Sequence, residues 1–154
     1  MSGHQIYNFQ KDIEQIKSLF DFDFVALALV HPAEKRFTSR WEYVTGNNSN
    51  RYQRIKLQTG KGVAGVVLKT GKPLLIRDVK TGLNASYLYN YPIVVAENLN
   101  SFGAIPLYKY NRVKGVLLVA YRDDKVLTEE IFEAFKETVG LRFGPYYNKE
   151  MVKQ

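Results

Sequence analysis

Three glycines, Gly60, Gly62 and Gly65, lead into the short apolar run Val63-Ala64-Gly65-Val66-Val67-Leu68-Lys69, and Gly71 follows it. Glycine accepts backbone conformations closed to other residues, and a glycine just past the last apolar position is a common left-handed helix stop. The stretch therefore predicts a turn, a short helix closed by Gly71, and a strand resuming over Pro73 to Ile76. The first N–H groups of that helix, from Gly62, Val63 and Ala64, have no intrahelical partner. With the helix macrodipole they make a ready anion site. The same glycines would also serve close helix–sheet packing, and the pattern alone leaves both readings open.

The spacing spells G-x-G-x-x-G, extended by Val67 to G-x-G-x-x-G-x-V. A dinucleotide-binding unit needs an acidic residue about 20 positions further on in a repeating βαβ frame. The nearest acid is Asp78, and no such frame surrounds it. A kinase needs H-R-D and D-F-G motifs, which are absent. Neither reading survives, but the mechanics of the glycine turn do.

A second helix start comes at Tyr91-Pro92-Ile93-Val94-Val95-Ala96-Glu97, with proline at the first helical position, where its missing N–H costs nothing. Free N–H groups of Ile93 and Val94 are expected at that end. Two helix starts converging on one pocket would suit a weakly hydrated monoanion, because no buried Arg or Lys is there to neutralise a higher charge. Trp41 alternates with Arg40 and Glu42 along a strand expected over Phe37 to Thr45, with Trp41, Tyr43 and Thr45 on one inner face. Its indole N–H is a candidate donor; filling the core is its plainer role.

Around these segments the chain reads as a helix carrying Phe9, Ile13, Ile16 and Phe20 behind an Asn8 cap. Phe24 to His31 makes a central strand, and Tyr52 to Leu57 a more polar one. A hairpin of Phe102–Tyr108 and Val113–Tyr121 turns at Tyr110-Asn111. A last helix is capped by Thr128, buries Ile131, Phe135 and Val139, and is interrupted by Gly144-Pro145. One α/β (α+β) domain over residues 1–154 is expected.

Composition removes whole function classes. Cysteine is absent, which excludes disulfides, thiolate nucleophiles and Cys-based metal sites. Only His4 and His31 supply imidazoles, and both are expected at surface positions. The acid pairs Asp123/Asp124 and Glu129/Glu130 fit a turn and a helix start. No catalytic residue, metal site or cofactor is assigned. The first twenty residues lack a leader-like apolar core, and no apolar run approaches the ~20 residues a membrane span needs. A soluble, cytoplasmic protein with no membrane partner is expected. Residues 24–80 hold eleven Lys and Arg against three acids. A solvated sheet face explains most of that block, and no nucleic-acid partner is expected. The nucleic-acid alternative would declare itself by binding that weakens steeply with salt.

Leu57-Gln58-Thr59-Gly60-Lys61-Gly62-Val63-Ala64-Gly65, followed by Thr70-Gly71-Lys72-Pro73-Leu74-Leu75-Ile76-Arg77-Asp78, resembles the hallmark of GAF domains. Ser101 to Leu107 and Val113 to Leu117 are similar to that family's last two strands. The resemblance implies a central antiparallel sheet of about six strands with helices packed on it and a ligand pocket on one side. The missing cysteines set the chain apart from bilin-binding members and from free methionine sulfoxide reductases, and the N-K-x-F-D-E motif of cyclic-nucleotide members is absent. What remains is similar to stand-alone nitrate receptors that work beside an oxygen-sensing histidine kinase of a two-component system. That likeness implies nitrate as ligand, a sensor histidine kinase as partner, and Trp41, Val63, Ala64, Tyr91, Pro92 and Ile93 as pocket lining. Gly62 and Val67 join them from the reading of the helix start. An organic acid or a branched amino acid is the alternative ligand.

Two docking surfaces are candidates: the basic residues Arg36, Arg40, Arg51, Arg54 and Lys56, and the aromatic stretch Tyr87-Leu88-Tyr89-Asn90-Tyr91. Phe132, Phe143 and Tyr146 could pair two copies in a homodimer or pack on the sheet.

Overall fold

A computed structural model of the chain describes residues 7–30, 40–82, 90–140 and 143–149. Helix α1 spans Phe9–Phe20; Asn8 caps it by accepting from the Lys11 N–H, and it buries Phe9, Ile13 and Ile16. Strands β1 (Phe24–Leu29) and β2 (Trp41–Thr45) precede a 3-10 helix at Arg51–Arg54. Helix α2 (Gly62–Thr70) ends on Gly71, whose left-handed φ of 67° lets its N–H bond back to the Val67 carbonyl. After β3 (Leu74–Ile76) come the short helices α3 (Val79–Gly82) and α4 (Pro92–Ala96), then β4 (Ser101–Lys109), β5 (Arg112–Tyr121) and α5 (Glu129–Val139).

The strands form one antiparallel sheet in the order β2-β1-β5-β4-β3. β4 and β5 join through Tyr110 and Asn111, both at positive φ (54° and 62°), as a two-residue hairpin turn requires. Side chains alternate across the sheet. Phe24, Ala26 and Ala28 of β1 pack on one face against α2 and α4, with Val63, Val67 and Ile93. Val25, Leu27 and Leu29 pack on the other against α1 and α5, with Ile13, Phe132 and Phe135. Helices α1 and α5 thus close one face, and α2 and α4 cover the other.

Four expectations need correction. Among the described residues the sheet has five strands, because Arg51–Arg54 coil into a 3-10 turn and Tyr52–Leu57 does not form a sixth strand. Arg51, Gln53, Arg54 and Lys56 are exposed there, and the segment turns away as a 3-10 helix bridging β2 and α4. Trp41 and Tyr43 lie on opposite faces: β1 pairs Leu27 with Tyr43 and Ala28 with Trp41, so Glu42 is an extra residue in a bulge. The bulge sends Trp41 to the face covered by α2 and α4, beside Val44, and Tyr43 toward α1. In α5 the buried stripe is Phe132, Phe135, Lys136 and Val139, with Ile131 only half-buried. That helix stops at Gly140, and Gly144-Pro145 turns a small hairpin in which Phe143 and Tyr146 exchange backbone hydrogen bonds of 2.7 and 2.9 Å. Phe132 and Phe143 are buried in the helix-side core.

Candidate ligand-binding site

The glycine turn is built as its composition requires. Gly60 and Gly62 sit at φ 85° and 71°, in the left-handed region where a side chain is strained. The Gly60 N–H donates to the Gly65 carbonyl at 2.8 Å and the Lys61 N–H to the Gln58 carbonyl at 3.0 Å. These bonds lay Leu57 and Gln58 against α2. Gly65 serves packing, since a Cβ there would overlap the Gln58 carbonyl. Gly62 serves a different end. Lys61, the residue before α2, supplies no side-chain cap, so the first-turn N–H groups of Gly62, Val63 and Ala64 lack an intrahelical acceptor.

The start of α4 faces this turn. A Cβ on Gly62 would stand 3.6 Å from the Asn90 carbonyl oxygen and 4.0 Å from Pro92 Cδ. The expectation of two free N–H groups on α4 is corrected: Val94 donates to the Tyr91 carbonyl at 3.0 Å, so it is engaged. The Ile93 N–H has no acceptor among the described residues.

Between the two helix starts lies a cavity of about 230 Å³. Of the residues singled out from sequence, Trp41, Gly62, Val63, Pro92 and Ile93 line it. Ala64 and Val67 do not; both are wholly buried in the core behind the wall. Tyr91 packs half-buried on the same core and is likewise not part of the lining. Sequence reasoning missed Ile55, Leu57, Lys56, Gln58, Lys61 and Asn90, which complete it. Ile55 to Gln58 carried no signal once the segment was read as a strand. Lys61, by contrast, lay inside the glycine motif.

Trp41 is 2% exposed, and its Nε1–H has no hydrogen-bond partner among the described residues. A buried donor without an acceptor is rare and costs the full desolvation of the group. Here it belongs to a side chain on the cavity wall. Among the described residues, no acid lines the cavity. The site therefore offers N–H groups and apolar walls to an electron-rich guest.

A larger surface cleft of about 680 Å³ runs past Arg77, Asp78, Lys80, Asp123 and Asp124. It mixes both charge signs and contains no buried unpartnered polar atom among the described residues. The second acid pair, Glu129/Glu130, opens α5 beside its Thr128 cap. Among the described residues no group of three His, Cys, Asp or Glu could hold a metal, and no helix is long and apolar enough to cross a membrane. Arg36 and Tyr87 to Tyr89 of the proposed docking surfaces, and both histidines, lie outside the described residues; Arg40, Arg51, Arg54, Lys56 and Asn90 are exposed.

A family model for the GAF domain matches residues 10–141. Among solved structures, a hypothetical protein from S. aureus is 37% identical with a TM-score of 0.75, over 79% of this chain and 98% of that one. A Staphylococcus aureus NreA protein mutated in its nitrate binding site is also 37% identical, with a TM-score of 0.75, over 79% of this chain and 88% of the other. A free methionine-R-sulfoxide reductase from Thermoplasma acidophilum, at 15% identity and a TM-score of 0.63 over 84% and 82% of the two chains, shares the fold alone. No curated protein matches.

Proposed function

The chain belongs to the GAF-domain family, and on that premise we propose that it is a non-catalytic sensor whose cavity binds a small planar monoanion, nitrate. The observation that carries this reading is the buried Nε1–H of Trp41, without a partner among the described residues, on the wall of a cavity that no described acid lines. The likeness to an NreA protein with a nitrate binding site supports the choice of ion.

Nitrate carries one charge over three coplanar oxygens and is weakly hydrated. The Trp41 indole, the first-turn N–H groups of α2 and the Ile93 N–H would each meet an oxygen. Val63 and Ile93 would supply apolar walls that reject strongly hydrated sulfate and phosphate. Ala64 would take part through its backbone alone, with Val67 and Tyr91 packing behind. A few charge-assisted bonds of about 1.5–3 kcal/mol each must offset desolvation and ordering, which points to roughly micromolar affinity. The resemblance to receptors working beside a histidine kinase extends the reading: the ligand shifts the protein between states of different affinity for that kinase.

A second reading rests on volume. A cavity of about 230 Å³ exceeds one four-atom ion and leaves room for waters at roughly 30 Å³ each, or for a small monocarboxylate. Isothermal titration calorimetry with nitrate, chloride, sulfate, phosphate and a small monocarboxylate separates the two. Saturable nitrate binding without sulfate binding supports the first. Heat from the carboxylate alone replaces it with the second, and no heat from any anion removes both.

A further inference from the structure

The chain's entire formal net charge of +7 resides in the segment that builds most of the cavity. Residues 43–77 contain Arg51, Arg54, Lys56, Lys61, Lys69, Lys72 and Arg77 and no Asp or Glu, while cations and acids balance over the rest of the sequence. All seven side chains are exposed. None joins an ion pair among the described residues. The same stretch supplies the lining from Ile55 to Val63.

Two of these cations stand at the opening, and a third lies over the neighbouring glycine turn. Lys56 and Lys61 line the cavity although both are exposed. Lys69 folds back over the glycine turn, its Nζ 3.9 Å from where a Cβ on Gly60 would lie. What sets this segment apart is the absence of any acid over residues 43–77; Lys125, by contrast, meets Asp21 and Asp23 at 3.5 Å. At the cavity, mutual repulsion of the lysines is left uncompensated, whereas the floor behind them carries no formal charge.

Resting on the anion reading above, we propose that Lys56, Lys61 and Lys69 form a cationic mouth that captures the anion and sets its rate of entry, while the uncharged floor holds it. Hydrated ammonium groups on flexible stems raise the local anion concentration without forming a fixed bond, and a low-dielectric cleft focuses their field. Exposed charges are screened by salt over a Debye length of about 10 Å at 0.1 M. Their effect therefore falls mainly on association and fades as ionic strength rises. Dissociation is governed by the short-range N–H contacts inside. The division avoids the desolvation a buried lysine would demand.

The chain has one tryptophan, and it lies on the cavity wall, so its fluorescence reports the guest. Temperature-jump relaxation with sodium nitrate, at low ionic strength and again with added sodium sulfate, gives both rate constants. The variant K56Q/K61Q/K69Q is expected to associate about tenfold more slowly at low ionic strength. Its association rate should become nearly independent of salt, with dissociation changed less than about twofold. Lys→Arg at all three positions should restore the wild-type rate and its salt dependence. Because the three side chains are exposed, an unchanged melting temperature checks the fold. An unchanged association rate, or a loss falling wholly on dissociation, overturns the mouth. If wild-type protein binds no anion by calorimetry, the anion reading itself fails and takes this inference with it; binding with unaltered rates in the variant removes the mouth alone.

Discussion

The Arg122 guanidinium meets the wholly buried Glu97 carboxylate at 2.7 Å. Glu97 Oε1 also accepts from the Asn48 N–H at 2.7 Å, and Arg122 donates from Nε to the Glu97 carbonyl and from Nη1 to the Gly46 carbonyl, at 2.7 and 3.0 Å. One ion pair thus ties the far end of α4 to the loop after β2 and to the end of β5. Glu97 further donates its N–H to Ile93, which lines the cavity. Removing one partner of a buried pair leaves a charge uncompensated and costs about 3–5 kcal/mol. Arg122→Ala should therefore lower the unfolding free energy by about 3 kcal/mol in urea titrations. The protein that remains folded should bind anion more weakly, since α4 loses its anchor.

Trp41→Phe keeps an aromatic ring on the wall and removes the unpartnered donor. Loss of one charge-assisted hydrogen bond, about 1.5–3 kcal/mol, should weaken nitrate binding roughly ten- to a hundredfold by calorimetry. The ligand-free variant should melt close to wild type, because the deleted N–H was buried without an acceptor. A large loss of melting temperature with unchanged affinity would make Trp41 a core residue and nothing more.

Gly65 and Gly62 should respond differently to alanine. At Gly65 the new methyl would overlap the Gln58 carbonyl, a backbone group that cannot give way; a loss of about 2–3 kcal/mol is expected. At Gly62 the neighbours are at ordinary distances, so only the φ of 71° is strained, at about 1 kcal/mol. That methyl would, however, stand between the two helix starts. Gly62→Ala should weaken the anion more than it weakens the fold, and melting curves beside calorimetry distinguish the two.

Much of the frame was legible because local chemistry decided it. Asn8 and Thr128 cap their helices through their own side chains. Gly71 stops α2, and Tyr110-Asn111 turns the hairpin. Where the reading failed, the cause was not local. Nothing in Tyr52 to Leu57 announces that this segment turns away from β2 as a 3-10 helix, and strict alternation could not foresee an extra residue at Glu42. The candidate site shows the same division. Gly62 and Pro92 are conspicuous by type, but Ile55 and Leu57 line the cavity only because the segment before them leaves the sheet. Ala64 and Val67 were drawn in by their place beside the motif, and the helix's rotation turns both into the core.

Alkaline pH should destabilise the protein in a definite window. The Tyr121 hydroxyl donates to the Phe20 carbonyl at 2.6 Å. Burial first, then the nearby Asp21 and Asp23 carboxylates, raise its pKa above the usual value of about 10. The native state thus keeps a proton that the unfolded chain loses. The resulting stability is fully present below about pH 10 and is lost as pH rises through the raised native value. Burial raises Tyr108 and Tyr146 in the same direction. Urea unfolding on either side of pH 10 should show the decline, and Tyr121→Phe should make it shallower.

The extra residue at Glu42 gives β2 an unusual kind of vulnerability. In a regular strand the sheet face a side chain occupies follows from counting by twos; here the count is broken once, between the indole and the tyrosine that follows it. Which face receives Trp41 is thereby decided by the bulge rather than by side-chain chemistry. A change that irons the bulge out at constant chain length would put both rings on one face, whereas deleting Glu42 would make them neighbours in a regular strand and leave them on opposite faces. For relatives of this chain, the spacing between the indole and the tyrosine, read together with the bulge, would accordingly say more about whether the cavity keeps its donor than the identity of any residue lining it.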